Sequence, residues 1–295
     1  MKKYFFCFCV LLSVGLQAQI QQNINKPSGT VSNAIAEIDS IRFNAAGDEM
    51  QVVLIGGTVN SHSISEIDSV TFIPEMANLQ LHTCGADSVH NPALTYGSMT
   101  DQEGNMYKTI VIGTQEWMAE NLRTTVYQNG NAIASVTNTF QWAGLTTGAW
   151  CYYNNESQYE CPYGKLYNWY AVADPRNVCP TGWHVPTDGE WTTLTNFLGG
   201  EAVAGGKMKS TGTQYWFSPN TDATNASGFS GLPGGFRFDY GVFFYNDGDS
   251  GFWWSSTENN TDYAWCRNLN YNNGYASTYN EFNKPYGFSV RCLRD

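Results

Sequence analysis

Apolar positions recur along this chain with two signatures, short alternating runs and, near the middle, a helical spacing. Early in the chain Ile35-Ala36-Glu37-Ile38-Asp39-Ser40-Ile41-Arg42-Phe43 returns 29 residues later as Ile64-Ser65-Glu66-Ile67-Asp68-Ser69-Val70-Thr71-Phe72. A Gly-Thr-Val precedes each copy, at 29–31 and 57–59. Ile38, Ile41 and Phe43 do not fall on one strand face. The nonapeptide therefore parses as a turn at Glu-Ile-Asp and then a strand of about four residues. Met50 to Ile55 forms a further strand, ended by Gly56-Gly57. Residues 19–78 thus read as a small β-rich module with two related halves. Two hairpins alone are marginal in water, so the module needs something to pack on.

Residues 79–99 contain Cys84 and Pro92 with little periodicity, and read as a linker stapled by one bridge. The pattern changes at Thr100. A turn at 100–105 leads into a strand at Met106 to Ile112, and Gly113 to Glu116 turns the chain into Trp117 to Leu122. Asn-Gly or Asp-Gly pairs at 129–130, 188–189 and 247–248 are turn signals. A helix is expected from Asp188 to Leu198. Thr187 is its N-cap, Glu190 completes a capping box, and Trp191, Leu194, Phe197 and Leu198 form its apolar face. Gly199-Gly200 stops it. A weaker helix is expected over Tyr163 to Ala173. The remainder reads as short strands and long loops, which makes residues 100–295 an α+β domain.

Composition narrows the function. The chain has 295 residues, 14% charged and 15% aromatic, with a formal net charge of −11. Nucleic-acid binding is excluded as an expectation, because phosphate recognition needs clustered Lys and Arg. Lys2, Lys3, the apolar stretch Tyr4 to Leu16 and a small residue at Ala18 read as a signal peptide over residues 1–18. That stretch is too short to span a bilayer, and no longer apolar run follows it. No Cys follows the cleavage point, which argues against a lipid anchor. The expected location is secreted or at the cell surface. Cys7 and Cys9 leave with the signal. Cys84, Cys151, Cys161, Cys179, Cys266 and Cys292 remain, an even set that implies disulfides with fifteen possible connectivities.

Several strings then accumulate. Thr100-Asp101, Gly104-Asn105, Tyr107, Ile112-Gly113, Trp117-Met118 and Glu120-Asn121-Leu122 are one group. Gly164-Lys165-Leu166-Tyr167-Asn168-Trp169-Tyr170-Ala171 and Cys179-Pro180-Thr181-Gly182-Trp183-His184-Val185-Pro186-Thr187 follow. Trp254-Ser255-Ser256-Thr257-Glu258, Ala264-Trp265, Arg267 and Tyr286-Gly287-Phe288-Ser289-Val290-Arg291-Cys292 complete the set. In this order the strings resemble the Fibrobacter succinogenes major paralogous domain, a family of exported bacterial proteins, from about residue 96 to the end. The family has no settled activity. It is similar in turn to the C-type lectin-like fold, shared by the formylglycine-generating enzyme and by variable receptor proteins of bacteria and phage. That resemblance implies paired terminal strands, long ligand-presenting loops, one or two helices and a bridge between Cys179 and Cys292. Over a loop of that length such a bridge contributes ~4–5 kcal/mol in the chain-entropy model. Beside it, Cys151 and Cys161 lie close enough for a local bridge, and Cys84 with Cys266 remains by elimination.

The candidate chemistry is recognition. Residues 268–283 hold six Asn and three Tyr in sixteen positions, the alphabet of binding loops. Trp253, Trp254, Trp265, Arg267, Tyr271, Asn273, Tyr275 and Tyr279 are the expected ligand-binding residues, for a glycan or protein ligand. Trp253 and Trp254 should point to opposite faces, one into the core and one outward. Trp117, Trp169, Trp183 and Trp191 are expected in the core. Asp247, Asp249, Glu258 and Asp262 are candidate calcium ligands in flexible loops. His82, Cys84 and His90 lack an evident fourth ligand and read as surface histidines beside a disulfide. Trp265-Cys266-Arg267 resembles a string of the formylglycine-generating enzyme, but the second cysteine that its copper needs is missing near Cys266. Gly-x-Ser-x-Gly and His-Glu-x-x-His are absent, so no catalytic residues are assigned and the chain is not expected to be an enzyme. The alternatives are a structural subunit of a surface assembly, carried by the N-terminal repeat, and a glycan-active hydrolase.

Overall fold

The computed structural model describes residues 20–26, 29–34, 38–43, 48–54, 59–66, 69–74, 89–240 and 244–295. Residues 1–18, expected as a signal peptide, and His82 and Cys84 lie outside them. The chain divides into two compact units, Met1–Leu79 and Gln80–Asp295.

The first unit holds β1 (Ile20–Lys26), β2 (Gly29–Ala34), β3 (Ile38–Phe43), β4 (Glu49–Leu54), β5 (Val59–Ser63) and β6 (Ser69–Pro74). The expected strands are present, and their pairing adds something the repeat did not announce. The strands form two three-stranded antiparallel sheets, β2-β1-β6 and β3-β4-β5. Each half of the repeat supplies a hairpin, and its third strand joins the hairpin of the other half. Thus Val70 pairs with Ile24 in the first half, and Ile41, the equivalent residue one repeat earlier, pairs with Val52 in the second.

The second unit is β-rich with few helices. Its strands are β7 (Gly97–Thr100), β8 (Met106–Ile112), β9 (Gln115–Met118), β10 (Ala134–Ser135), β11 (Ala149–Cys151), β12 (Leu166–Tyr167) and β13 (Trp183–His184). β14 (Gly234–Arg237), β15 (Phe244–Asp247), β16 (Ser250–Glu258), β17 (Tyr263–Asn270), β18 (Ala276–Asn283) and β19 (Leu293–Arg294) follow. They form sheets ordered β13-β19-β9-β8-β7, β10-β11-β12 and β15-β14-β16-β17-β18. The helices are α1 (Thr139–Ala143), α2 (Glu160–Tyr163), α3 (Trp169–Val172), α4 (Asp188–Phe197) and α5 (Glu201–Met208). Residues 89–99, expected as linker, belong to this unit. Val89 is buried, its carbonyl accepts from Asn225 at 3.1 Å, and β7 pairs with β8.

α4 forms as its spacing dictates, with both halves of the Thr187/Glu190 capping box present. Trp191, Leu194 and Leu198 are buried. Phe197 is not. Thr195, four residues after Trp191, takes the inner position and leaves Phe197 exposed. The helix expected over 163–173 is a short strand and one turn, β12 and α3, with Asn168 capping Ala171. α5 was hidden by its glycines. A Cβ on Gly205 would lie 2.0 Å from the Tyr275 carbonyl oxygen, and one on Gly206 would lie 2.5 Å from that of Asp222. The glycines lower helix propensity but let the helix backbone touch the β17–β18 turn.

The terminal closure matches the expected bridge. Cys179 and Cys292 are disulfide-bonded across a separation of 113 residues. β19 pairs with β9 through Leu293 and Trp117, and the Met118 amide donates to the Cys292 carbonyl at 3.0 Å. The other two expected bridges are corrected. Cys151 and Cys266 are buried free thiols, so neither Cys151–Cys161 nor Cys84–Cys266 forms. Cys161 is itself disulfide-bonded. Spacing misled because Cys151 lies inside β11, held in the interior beside Arg237, while Cys161 lies in α2.

Seven cations are buried among the described residues: Arg123, Lys165, Lys209, Arg237, Arg267, Lys284 and Arg291. Each donates to at least one backbone carbonyl. Lys165 reaches Arg123 at 2.6 Å, Arg237 reaches Val136 and Thr137, and Arg291 reaches Phe229 and Ser230. Six of them also lie over an aromatic ring, among them Arg237 on Trp142 at 4.2 Å and Arg291 on Phe229 at 4.1 Å. Arg267 instead pairs with Asp188 at 2.6 Å.

Two outcomes follow. Thiol labelling of denatured, unreduced protein should modify Cys151 and Cys266 and spare Cys161, Cys179 and Cys292, as read by peptide mass mapping. His184 bridges Asp295 at 2.6 Å and Glu190 at 3.0 Å. Burial lowers its pKa, but the hydrogen bonds to Asp295 and Glu190 outweigh that and raise it above the ordinary 6.5. Its stabilisation is therefore fully present below pH 6.5 and is lost as pH rises through the raised value. In urea unfolding, the stability gap between the native chain and His184→Gln should shrink as pH rises through that window.

Candidate ligand-binding surface

The expected site lies on and around the sheet β15-β14-β16-β17-β18. Strand alternation sends Trp253, Arg267 and Thr278, cross-strand neighbours, to one face. Trp254, Cys266 and Tyr279 share the other. The first face packs under α4 and α5. Trp253 meets Phe229 at 5.8 Å, and Phe229 meets Trp191 at 5.8 Å. The second face is covered around Trp254, which lies against Phe288 at 4.3 Å, and is left open at Tyr279.

This layering corrects three site assignments. Trp253 and Trp254 do point to opposite faces, but both faces are covered at these positions and both residues are 0% exposed. Trp253 donates to Asn121 at 2.8 Å and Trp254 to the Tyr167 carbonyl at 2.8 Å. Arg267 is buried and holds Asp188 and Thr192 of α4. These three residues carry structure. Trp117, Trp169, Trp183 and Trp191 are in the core as expected.

The Asn-rich segment between β17 and β18 is a pinned turn. The Lys209 ammonium, buried at the end of α5, donates to the carbonyls of Thr221 at 2.8 Å, Asn270 at 2.9 Å and Asn273 at 2.8 Å. Burial pushes its pKa down to about 8. The Asn273 side chain accepts from the Tyr275 amide, and Tyr271 packs on Phe217 at 6.0 Å. Tyr271, Asn273 and Trp265 are partly buried, while Tyr275 and Tyr279 are about half exposed.

Tyr279 is the end of a longer feature. Its ring meets Phe282 at 5.7 Å, Phe282 meets Tyr286 at 5.1 Å, Tyr286 meets Phe238 at 5.0 Å, and Phe238 meets Tyr240 at 5.5 Å. Tyr245 adjoins Phe238 at 6.2 Å. Tyr240 is 67% exposed, Tyr279 45% and Tyr245 44%. The Asn283 amide donates to the Asp239 carboxylate beside this row. Burial, with Asp239 and Tyr240 nearby, pushes the Tyr286 pKa up to about 12, so its hydroxyl stays protonated and able to donate. The sequence carried one signal for the row. Phe236, Phe238 and Tyr240 recur at every second residue, the last two just beyond the end of β14. The segment 268–283 drew the reading away from it.

The four calcium candidates do not come together. Among the described residues no three His, Cys, Asp or Glu side chains group as a metal site. Asp247 accepts from the Tyr153 hydroxyl at 2.6 Å. Asp249 accepts from Asn270 at 2.8 Å and Ser250 at 2.7 Å. Glu258 pairs with Lys284, and Asp262 is an exposed residue whose carbonyl accepts from the Lys284 amide. His90 is not a surface residue. It is buried, with Nδ1 3.2 Å from the Ser230 hydroxyl.

A family model described as the Fibrobacter succinogenes major domain matches residues 110–294, more than half of the chain. No curated protein and no solved structure matches it. No helix among the described residues is long and apolar enough to cross a membrane.

Lys209→Met should leave three interior carbonyls without a donor. We expect a loss of at least about 3 kcal/mol in urea unfolding, together with faster amide exchange at 270–275.

Proposed function

Starting from the fact that the chain belongs to the Fibrobacter succinogenes major domain family, we propose that it is an exported binding protein, secreted or held at the cell surface. It recognises a glycan or protein ligand without covalent chemistry. The observation that carries this reading is that Tyr240, Tyr245 and Tyr279 are exposed on and beside a sheet whose Phe236, Phe252, Trp253 and Trp254 are buried. Exposed tyrosines on a rigid frame offer contact area at low entropic cost. Export is supported by the basic and apolar pattern of residues 1–18 and by the disulfide chemistry. We read the second unit as lectin-like. The bridge from just before α4 to the last strand, and the long connections between short strands, support that reading.

A structural role in a surface assembly is the second reading. It is favoured by the exposed Ile41, Phe43, Val59 and Ile64 of the first unit.

A combined glycan and protein array probed with the full-length chain tests recognition. Specific binding that drops about ten-fold in Tyr279→Ala supports it. A blank array with folded protein overturns it in favour of the assembly role.

A further inference from the structure

Resting on that recognition reading, we propose that the ring row from Tyr240 to Tyr279 is a binding platform for a single chain of a neutral polysaccharide. Its shape is the first argument. Five rings follow one another in contact, at steps of 5.0–5.7 Å, through Phe238, Tyr286 and Phe282. An extended ligand can run between the exposed Tyr240 and Tyr279 across the partly buried Phe238, Tyr286 and Phe282, which pack on the core from below. A compact terminal sugar would meet one or two of them.

Neighbouring rings pass from stacked to edge-to-face contact along the row. Successive interplanar angles are 30°, 56°, 78° and 85° from Tyr240 to Tyr279. Rings set at such angles share no common plane, so the surface suits one flexible chain and cannot lie flat on a crystalline face.

Charge selects the chemistry. The cations of β14, β17 and the segment after β18 are Arg237, Arg267 and Lys284. All three are buried and bound, to Val136 and Thr137, to Asp188, and to Glu258 and Thr261. Asp239 and the exposed Glu281 add negative charge. An anionic glycan would meet repulsion without a compensating cation. Sugar rings present C–H faces to aromatic faces and hydroxyls to polar rims. The row offers both, through its rings and through the tyrosine hydroxyls.

Calorimetric titration of the full-length chain with soluble neutral polysaccharides of several linkages, and with polygalacturonate, tests the proposal. The expected result is binding to a neutral polymer and none to polygalacturonate. Oligosaccharides of that polymer should bind more tightly with length, by about ten-fold between the disaccharide and the hexasaccharide. Tyr240→Ala and Tyr279→Ala should each weaken binding about ten-fold. Tyr279→Phe should retain most of it, and Tyr275→Ala should leave it unchanged. Length-independent binding, preference for polygalacturonate, or equal loss in Tyr275→Ala and Tyr240→Ala would overturn the platform. Binding to proteins alone on the array would overturn it while leaving recognition intact. Binding to nothing would overturn both.

Discussion

A domain with this much irregular backbone must find donors for carbonyls that face its interior, and buried cations supply them here. Helices and sheets satisfy their own backbone, while loops that run inward do not. The seven Lys and Arg residues buried among the described residues sit at such points. Lys209 joins three carbonyls from two separate stretches, one at Thr221 and one at Asn270 and Asn273, and Arg291 ties the last motif to residues 229–230. Removing a cation from water is costly without compensation. Carbonyls on one side and an aromatic face on another provide it. Part of the 15% aromatic content is explained in this way, because Trp142, Trp150, Trp169 and Trp216 each cover a cation.

The same constraint explains why the family motifs describe the frame. Asn121 accepts from both Trp253 and Arg291, and donates to the Tyr163 carbonyl and to Ser289. Lys165, Trp169, Trp254 and Arg267 are likewise interior. These strings are recognisable because each residue has several fixed partners. The tyrosines of the ring row have fewer. Tyr286 belongs to a motif, while Phe238, Tyr240, Tyr245 and Tyr279 do not.

Legibility followed locality. α4 was readable because its cap, box and apolar stripe all lie within a dozen residues. The Cys179–Cys292 bridge came from resemblance, and short spacing failed for Cys151 and Cys161 because strand burial decided their fate. α5 was unreadable, since Gly205 and Gly206 are explained by backbone contacts with Tyr275 and Asp222, distant in sequence. The Trp253–Trp254 pair shows the limit of alternation. Alternation gives the two directions, but which of them meets water depends on layers that the strand itself does not encode. The ring row draws on β18 and on segments near residues 240 and 286, so no single window contains it.

The pairing in the first unit bears on how such a module can arise. One copy of the 29-residue unit has a hairpin with an open edge and a third strand that does not return to it. Alone, it completes a sheet by lending that strand to another copy and borrowing one back. Tandem duplication places lender and borrower on the same polypeptide, so an exchange that would depend on concentration becomes an internal one. A lesion in either hairpin then strips the pairing partner from the third strand of the other half.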